Sequence, residues 1–121
     1  MFDGEPAPVD LNTPGFNITD FGLKHGVIQT DPIIAKAVAY LKTTGVDKIA
    51  ATGYCFGGKY AFRVLAAGKG VDVGFTAHPS LLEDDEIQAI TGPASIAAAG
   101  KMPACGPSQY SLTNQLTRRA M

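Results

Sequence analysis

Apolar and polar positions show no sustained period over residues 1–29, where glycines and prolines interrupt scattered apolar residues, so this stretch reads as an irregular N-terminal segment. From Thr30 the pattern sharpens. Ile34, Ala37, Val38 and Leu41 recur at helical spacing, with Thr30 or Asp31 as cap, Pro32 in the first turn and Gly45 as the stop. A short apolar run at 48–52 predicts a strand. Residues 57–67 predict a helix whose Ala61, Val64 and Leu65 face a sheet, ended by Gly68 and Gly70. Residues 71–77 predict a second strand, 83–90 a short helix with an acidic first turn, and 93–98 a third strand. This alternation predicts the α/β class: about three parallel strands with flanking helices and reactive groups at the carboxyl edge.

The stretch of most chemical interest is the first strand-to-helix junction. There Gly53-x-Cys55-x-Gly57 has the form of a nucleophile elbow with sulfur as the nucleophile. Such a turn strains its central residue and leaves little room for side chains two positions to either side, which accounts for glycines at both places. Cys55 then stands at an exposed tip. A thiolate there is stabilised by the helix dipole and by unpaired backbone N–H groups, and the Phe56 N–H is aimed at a developing oxyanion. The competing structural reading is a buried, inert cysteine in a glycine-rich turn. The same residues mimic a phosphate-binding loop, Gly53-x-x-x-x-Gly58-Lys59, but Tyr60 stands where a short hydroxyl is needed for magnesium.

Three ordered motifs closely resemble the dienelactone hydrolase family in its fungal-type branch: Gly53-Tyr54-Cys55-Phe56-Gly57-Gly58-Lys59-Tyr60, Gly74-Phe75-Thr76-Ala77-His78-Pro79-Ser80, and Gly92-Pro93-Ala94-Ser95-Ile96-Ala97-Ala98-Ala99. The resemblance runs from about Asp31 to Ala99. It implies a partial α/β-hydrolase fold and hydrolysis of lactones or related esters by a Cys-Asp-His triad. Cys55 matches the family nucleophile and Phe56 its backbone oxyanion donor. Three regions follow: 1–29 irregular, 30–99 a partial dienelactone hydrolase-like domain lacking the first strands, and 100–121 a non-homologous tail expected to be disordered.

In that fold the chain order is nucleophile, acid, histidine. This sequence has no Asp or Glu after Glu86 and no His after His78, and Gly100, Lys101 and Met102 stand where the resemblance places the acid. The expectation is a reactive thiol that turns over poorly. His78, just past the second strand, is a substrate-binding candidate at the mouth of the site; its bland reading is a loop histidine locked by Pro79. A rebuilt triad from His78 with Asp47 or Asp72 is disfavoured, because both aspartates enter strands at the amino edge. The alternative to an enzyme is a non-catalytic fragment or interaction module, whose exposed sheet edges favour self-association.

Composition narrows the partners. The 45% hydrophobic and 17% charged content is globular, and a net charge of −1 gives no reason to expect nucleic acid. No apolar run is long enough to span a bilayer, and the acidic, proline-bearing N-terminus is unlike a secretory signal. Two cysteines, Cys55 and Cys105, without such a signal point to a reducing, cytoplasmic setting, in which the Asn17-Ile18-Thr19 sequon stays silent. His25 and His78 are isolated and no Cys-x-x-Cys occurs, so neither metal nor organic cofactor is expected; the implied partner is a small ester or lactone.

Overall fold

The computed structural model describes residues 4–97. The chain divides into two compact units, Met1–Tyr40 and Leu41–Met121. The expected tail at 100–121, with Cys105, lies outside the described residues, as does Ala98 at the end of the third predicted strand.

In the first unit, the stretch read as irregular holds helix α1 (Ile18–Lys24) and the start of α2 (Val27–Thr43). The local chemistry explains α1. Asn17 takes the N-cap, its side chain accepting from the Thr19 and Asp20 amides at 2.8 and 3.2 Å. Phe16 and Phe21 then close across the cap with ring centroids 5.6 Å apart, an N′-to-N4 hydrophobic staple. Helix α2 begins three residues before the predicted cap at Thr30. Thr30 is buried inside it and its hydroxyl donates to the His25 carbonyl at 2.9 Å, while Pro32 falls in the second turn, not the first.

The second unit carries the α/β core. Strands β1 (Ala50–Tyr54), β2 (Val73–Ala77) and β3 (Ala94–Ala97) form a parallel sheet in the order β1-β2-β3, with Ala50 opposite Val73 and Gly74 opposite Ala94. Between them lie helices α3 (Phe56–Arg63) and α4 (Asp84–Gln88). Strand β1 starts two residues later than predicted and runs on through Gly53 and Tyr54, directly into the elbow. Helix α3 starts at Phe56, one residue early, and stops four residues early. Beyond Arg63 the Val64 and Leu65 amides still reach back to Tyr60 and Phe62, before Gly68 turns the chain at φ 78°. Helix α4 is shorter than its predicted span. A capping box closes its start: the Glu86 carboxylate accepts from the Glu83 amide at 2.9 Å.

Among the described residues of this unit, one sheet face is covered and the other carries exposed side chains. Phe62, Leu65, Leu82, Ile87 and Ile90 form the buried core, with Val71, Ala94 and Ile96 against it. Alternation along the strands puts Gly53, Gly74 and Thr76 on the covered face. Tyr54, Val73 and Phe75 lie on the other face, where the Tyr54 and Phe75 rings meet edge-on at 6.3 Å. At the amino edge, Asp72 closes the entry to the sheet. Its carboxylate accepts from the Ile49 amide at 2.9 Å and from Lys48 at 3.0 Å, and these bonds, the backbone one first, hold its pKa below the ordinary aspartate value.

Candidate active site

Cys55 sits between the last residue of β1 and the first of α3, exposed, with φ 49° and ψ −117°. A β-carbon in this left-handed region is strained, by about 1–3 kcal/mol. The turn is tied down by its backbone. The Cys55 amide donates to the Ala77 carbonyl at 3.1 Å, and the Cys55 carbonyl accepts from Gly58 and Ser80 at 3.0 Å each. Cys55 is the N-cap of α3 and makes no side-chain capping bond.

The glycines work differently from the symmetric expectation. At Gly53 a β-carbon would collide with the backbone of Gly57 and lie 2.8 Å from the Gly58 nitrogen, so β1 and α3 approach closely only with hydrogen there. At Gly57 a β-carbon would meet nothing within 4 Å. The second tight position is Gly58, where it would strike the Thr76 hydroxyl and stand 3.0 Å from the Pro79 Cα. The crowding follows the packing of α3 over β1 and β2, not the distance from Cys55 in sequence. Thr76, fully buried, completes this contact by donating to the Gly53 carbonyl at 3.1 Å.

Register brings His78 to the same edge. Tyr54 pairs with Ala77, so Cys55 and His78 follow directly from paired positions on adjacent strands. The His78 amide donates to Ala97 at 2.8 Å, its φ is 37°, and its ring lies 6.2 Å from that of Tyr54. Leu81 is also left-handed, with φ 53°. Among the described residues the non-glycine positions of positive φ are Cys55, His78 and Leu81, all at this one place. Such clustering of strain is a mark of functional sites. Asp72 lies at the opposite, amino edge with its carboxylate engaged by Ile49 and Lys48, away from Cys55.

Lys59, the residue that lent the turn its phosphate-loop appearance, is engaged with protein groups. Its ammonium donates to the Leu81 carbonyl at 2.6 Å and lies 3.2 Å from the Glu86 carboxylate, which also pairs with Arg63. Glu86 is a buried acid between two cations on successive turns of α3, a constellation the sequence pattern did not reveal. No cluster of three or more His, Cys, Asp or Glu with metal-binding geometry occurs among the described residues.

The sequence profile of the Dienelactone hydrolase family matches residues 18–120. The chain belongs to the dienelactone hydrolase family. Similar proteins include the hydrolase pyvD of Aspergillus violaceofuscus, 44% identical over 102 residues that cover 84% of this chain and 41% of the relative. The hydrolase tropI of Talaromyces stipitatus is 40% identical over 111 residues, 84% of this chain and 42% of its own. Dienlactone hydrolase 1 of Gibberella moniliformis is 28% identical over 98 residues, 76% and 37% respectively. The chain thus spans about two fifths of the length of the curated relatives it matches. No solved structure matches it significantly. A parallel sheet flanked by helices is what this α/β-hydrolase family requires, and no helix among the described residues is long and apolar enough to cross a membrane.

Proposed function

We propose that this dienelactone hydrolase family chain acts on small esters or lactones through Cys55. The Cys55 Sγ, as thiolate, adds to the carbonyl carbon while the C=O electron pair moves to oxygen, where the Phe56 N–H receives it. Collapse breaks the C–O bond, the alkoxide leaves and takes a proton from water, and a thioacyl group remains on Cys55. Water then cleaves the thioester, releasing the acid and restoring the thiol. His78, at the same sheet edge, contacts the bound substrate.

The observation that carries this reading is the exposed, strained Cys55 at the β1–α3 junction. In these 121 residues no Asp or Glu follows Glu86 and no His follows His78, so the usual order of nucleophile, acid and histidine is not filled. The proposed consequence is that acylation outruns deacylation: without an oriented base the thioester persists.

Incubation of the protein with p-nitrophenyl acetate, followed by peptide mass spectrometry, tests this directly. The expected result is a stoichiometric burst with the acetyl group on the Cys55 peptide, resolved from Cys105, and slow turnover afterwards. Cys55→Ala removes the burst. Absence of the acetyl group from Cys55, or steady turnover that survives Cys55→Ala, overturns the proposal. His78→Ala is expected to slow acylation severalfold while leaving iodoacetamide labelling of Cys55 unchanged.

A further inference from the structure

The Cys55–Phe56 peptide is held from two sides. Its carbonyl accepts from the Gly58 amide, within the first turn of α3, and from the Ser80 amide, which belongs to the segment after β2. Every peptide bond described is trans, so the C=O and N–H of this unit point in opposite directions. Fixing the Cys55 carbonyl therefore fixes the line along which the Phe56 N–H points. The Gly58 bond alone leaves that plane coupled only to its own helix; the Ser80 bond references it to the sheet.

The segment that delivers Ser80 is itself under restraint. It enters through His78 and leaves through Leu81, both left-handed without being glycine. Pro79 is buried where it abuts Gly58. The Leu81 carbonyl takes a short hydrogen bond from the Lys59 ammonium at 2.6 Å. Lys59 is in turn anchored 3.2 Å from Glu86, whose other oxygen caps α4 through the Glu83 amide. A continuous path thus runs from the capped end of α4 through Glu86, Lys59, Leu81 and Ser80 to the Cys55 carbonyl.

We infer that Lys59 is a positioning residue for the oxyanion donor: anchored by Glu86, its ammonium holds the 78–81 segment so that Ser80 locks the Cys55–Phe56 peptide and aims the Phe56 N–H. The inference rests on the reading of Cys55 as nucleophile. It differs from a merely structural ion pair between α3 and α4 because it acts on one step. An oxyanion forms when an ester acylates the sulfur, and none forms when iodoacetamide alkylates it by displacing iodide from a saturated carbon. Lys59 therefore matters to the first reaction and not to the second.

The test uses the full chain with Lys59→Met, which removes the charge and keeps the stem. Exchange of the Ser80 amide proton is expected to quicken at least tenfold while the β1 and β2 amides are unchanged. Acylation by p-nitrophenyl acetate is expected to fall by about 10- to 100-fold, with alkylation altered less than twofold and Lys59→Arg recovering most of the loss. An unchanged Ser80 amide, or acylation and alkylation falling by the same factor, overturns the inference. If wild-type Cys55 alkylates but never acylates, the nucleophile reading fails instead, and the Ser80 exchange alone decides whether Lys59 locks the peptide. Glu86→Gln, which leaves the ammonium without its anionic anchor, gives the same readouts should Lys59→Met not fold.

Discussion

Replacing Gly53, Gly57 and Gly58 one at a time by alanine separates steric need from position in the motif. At Gly53 the Gly57 carbonyl carbon stands 2.5 Å from the new β-carbon. Ordinary contact is about 3.4 Å and the Gly57 carbonyl oxygen is nearer still, so the first turn of α3 must retreat from β1 by at least about 0.9 Å (3.4 − 2.5). Both colliding groups are backbone and neither can rotate away, so the cost falls at the upper end of overpacking, about 3 kcal/mol. For a domain of this size that corresponds to a fall of roughly 12–24 °C in Tm. At Gly58 the obstacles are the short Thr76 side chain and the Pro79 Cα at 3.0 Å, so about 2–3 kcal/mol is expected. Gly57→Ala adds a β-carbon into open space inside α3 and removes glycine's conformational freedom, stabilising the fold by about 0.5–1 kcal/mol. Urea denaturation followed by far-UV circular dichroism measures all three. The packing account is refuted if Gly57→Ala destabilises by more than about 1 kcal/mol or if Gly53→Ala is tolerated within about 0.5 kcal/mol.

Three further outcomes are expected. Cys55→Gly relieves the strain of φ 49°, and after glycine's entropic cost it raises stability by about 1 kcal/mol in the same denaturation assay while removing the iodoacetamide label from the peptide that carries position 55. Glu86→Ala leaves Lys59 and Arg63 without their shared carboxylate and removes half of the α4 capping box; with both cations partly reached by water, about 2–4 kcal/mol is lost, measurable as a lower urea midpoint. The depressed pKa of Asp72 means that its bonds to Ile49 and Lys48 stabilise the fold above the ordinary aspartate range. That contribution is lost as pH falls below about 4. Asp72→Asn therefore flattens the acid limb of stability in that window and leaves its shape near neutrality unchanged, as thermal unfolding across pH reports.

Much of the molecule was legible along the chain because it depends on near neighbours. The alternation of short apolar runs with helical spacing carried the parallel α/β core, and glycines around Cys55 at a strand end marked the exposed turn. The missed helix α1 was legible in principle: Asn17 flanked by Phe16 and Phe21 is a cap with a staple, hidden by scattered glycines and prolines. Helix α2 and strand β1 shifted at their starts because Thr30 bonds inward to His25 and the Asp72 carboxylate binds the Ile49 amide ahead of the sheet.

Other features arise from contacts between residues far apart in sequence. Which glycine is indispensable depends on where Thr76 and Pro79 press against α3, so the requirement passes from Gly57 to Gly58. The grouping of Cys55, His78 and Leu81 depends on the register of β1 with β2, and the Lys59–Glu86–Arg63 cluster on α4 lying against α3. Local pattern thus specified most of the elements and the turn that exposes the Cys55 sulfur, through short-range sterics and capping. The surroundings of that atom came from packing, because side chains far apart in sequence become neighbours only after the sheet has set their register.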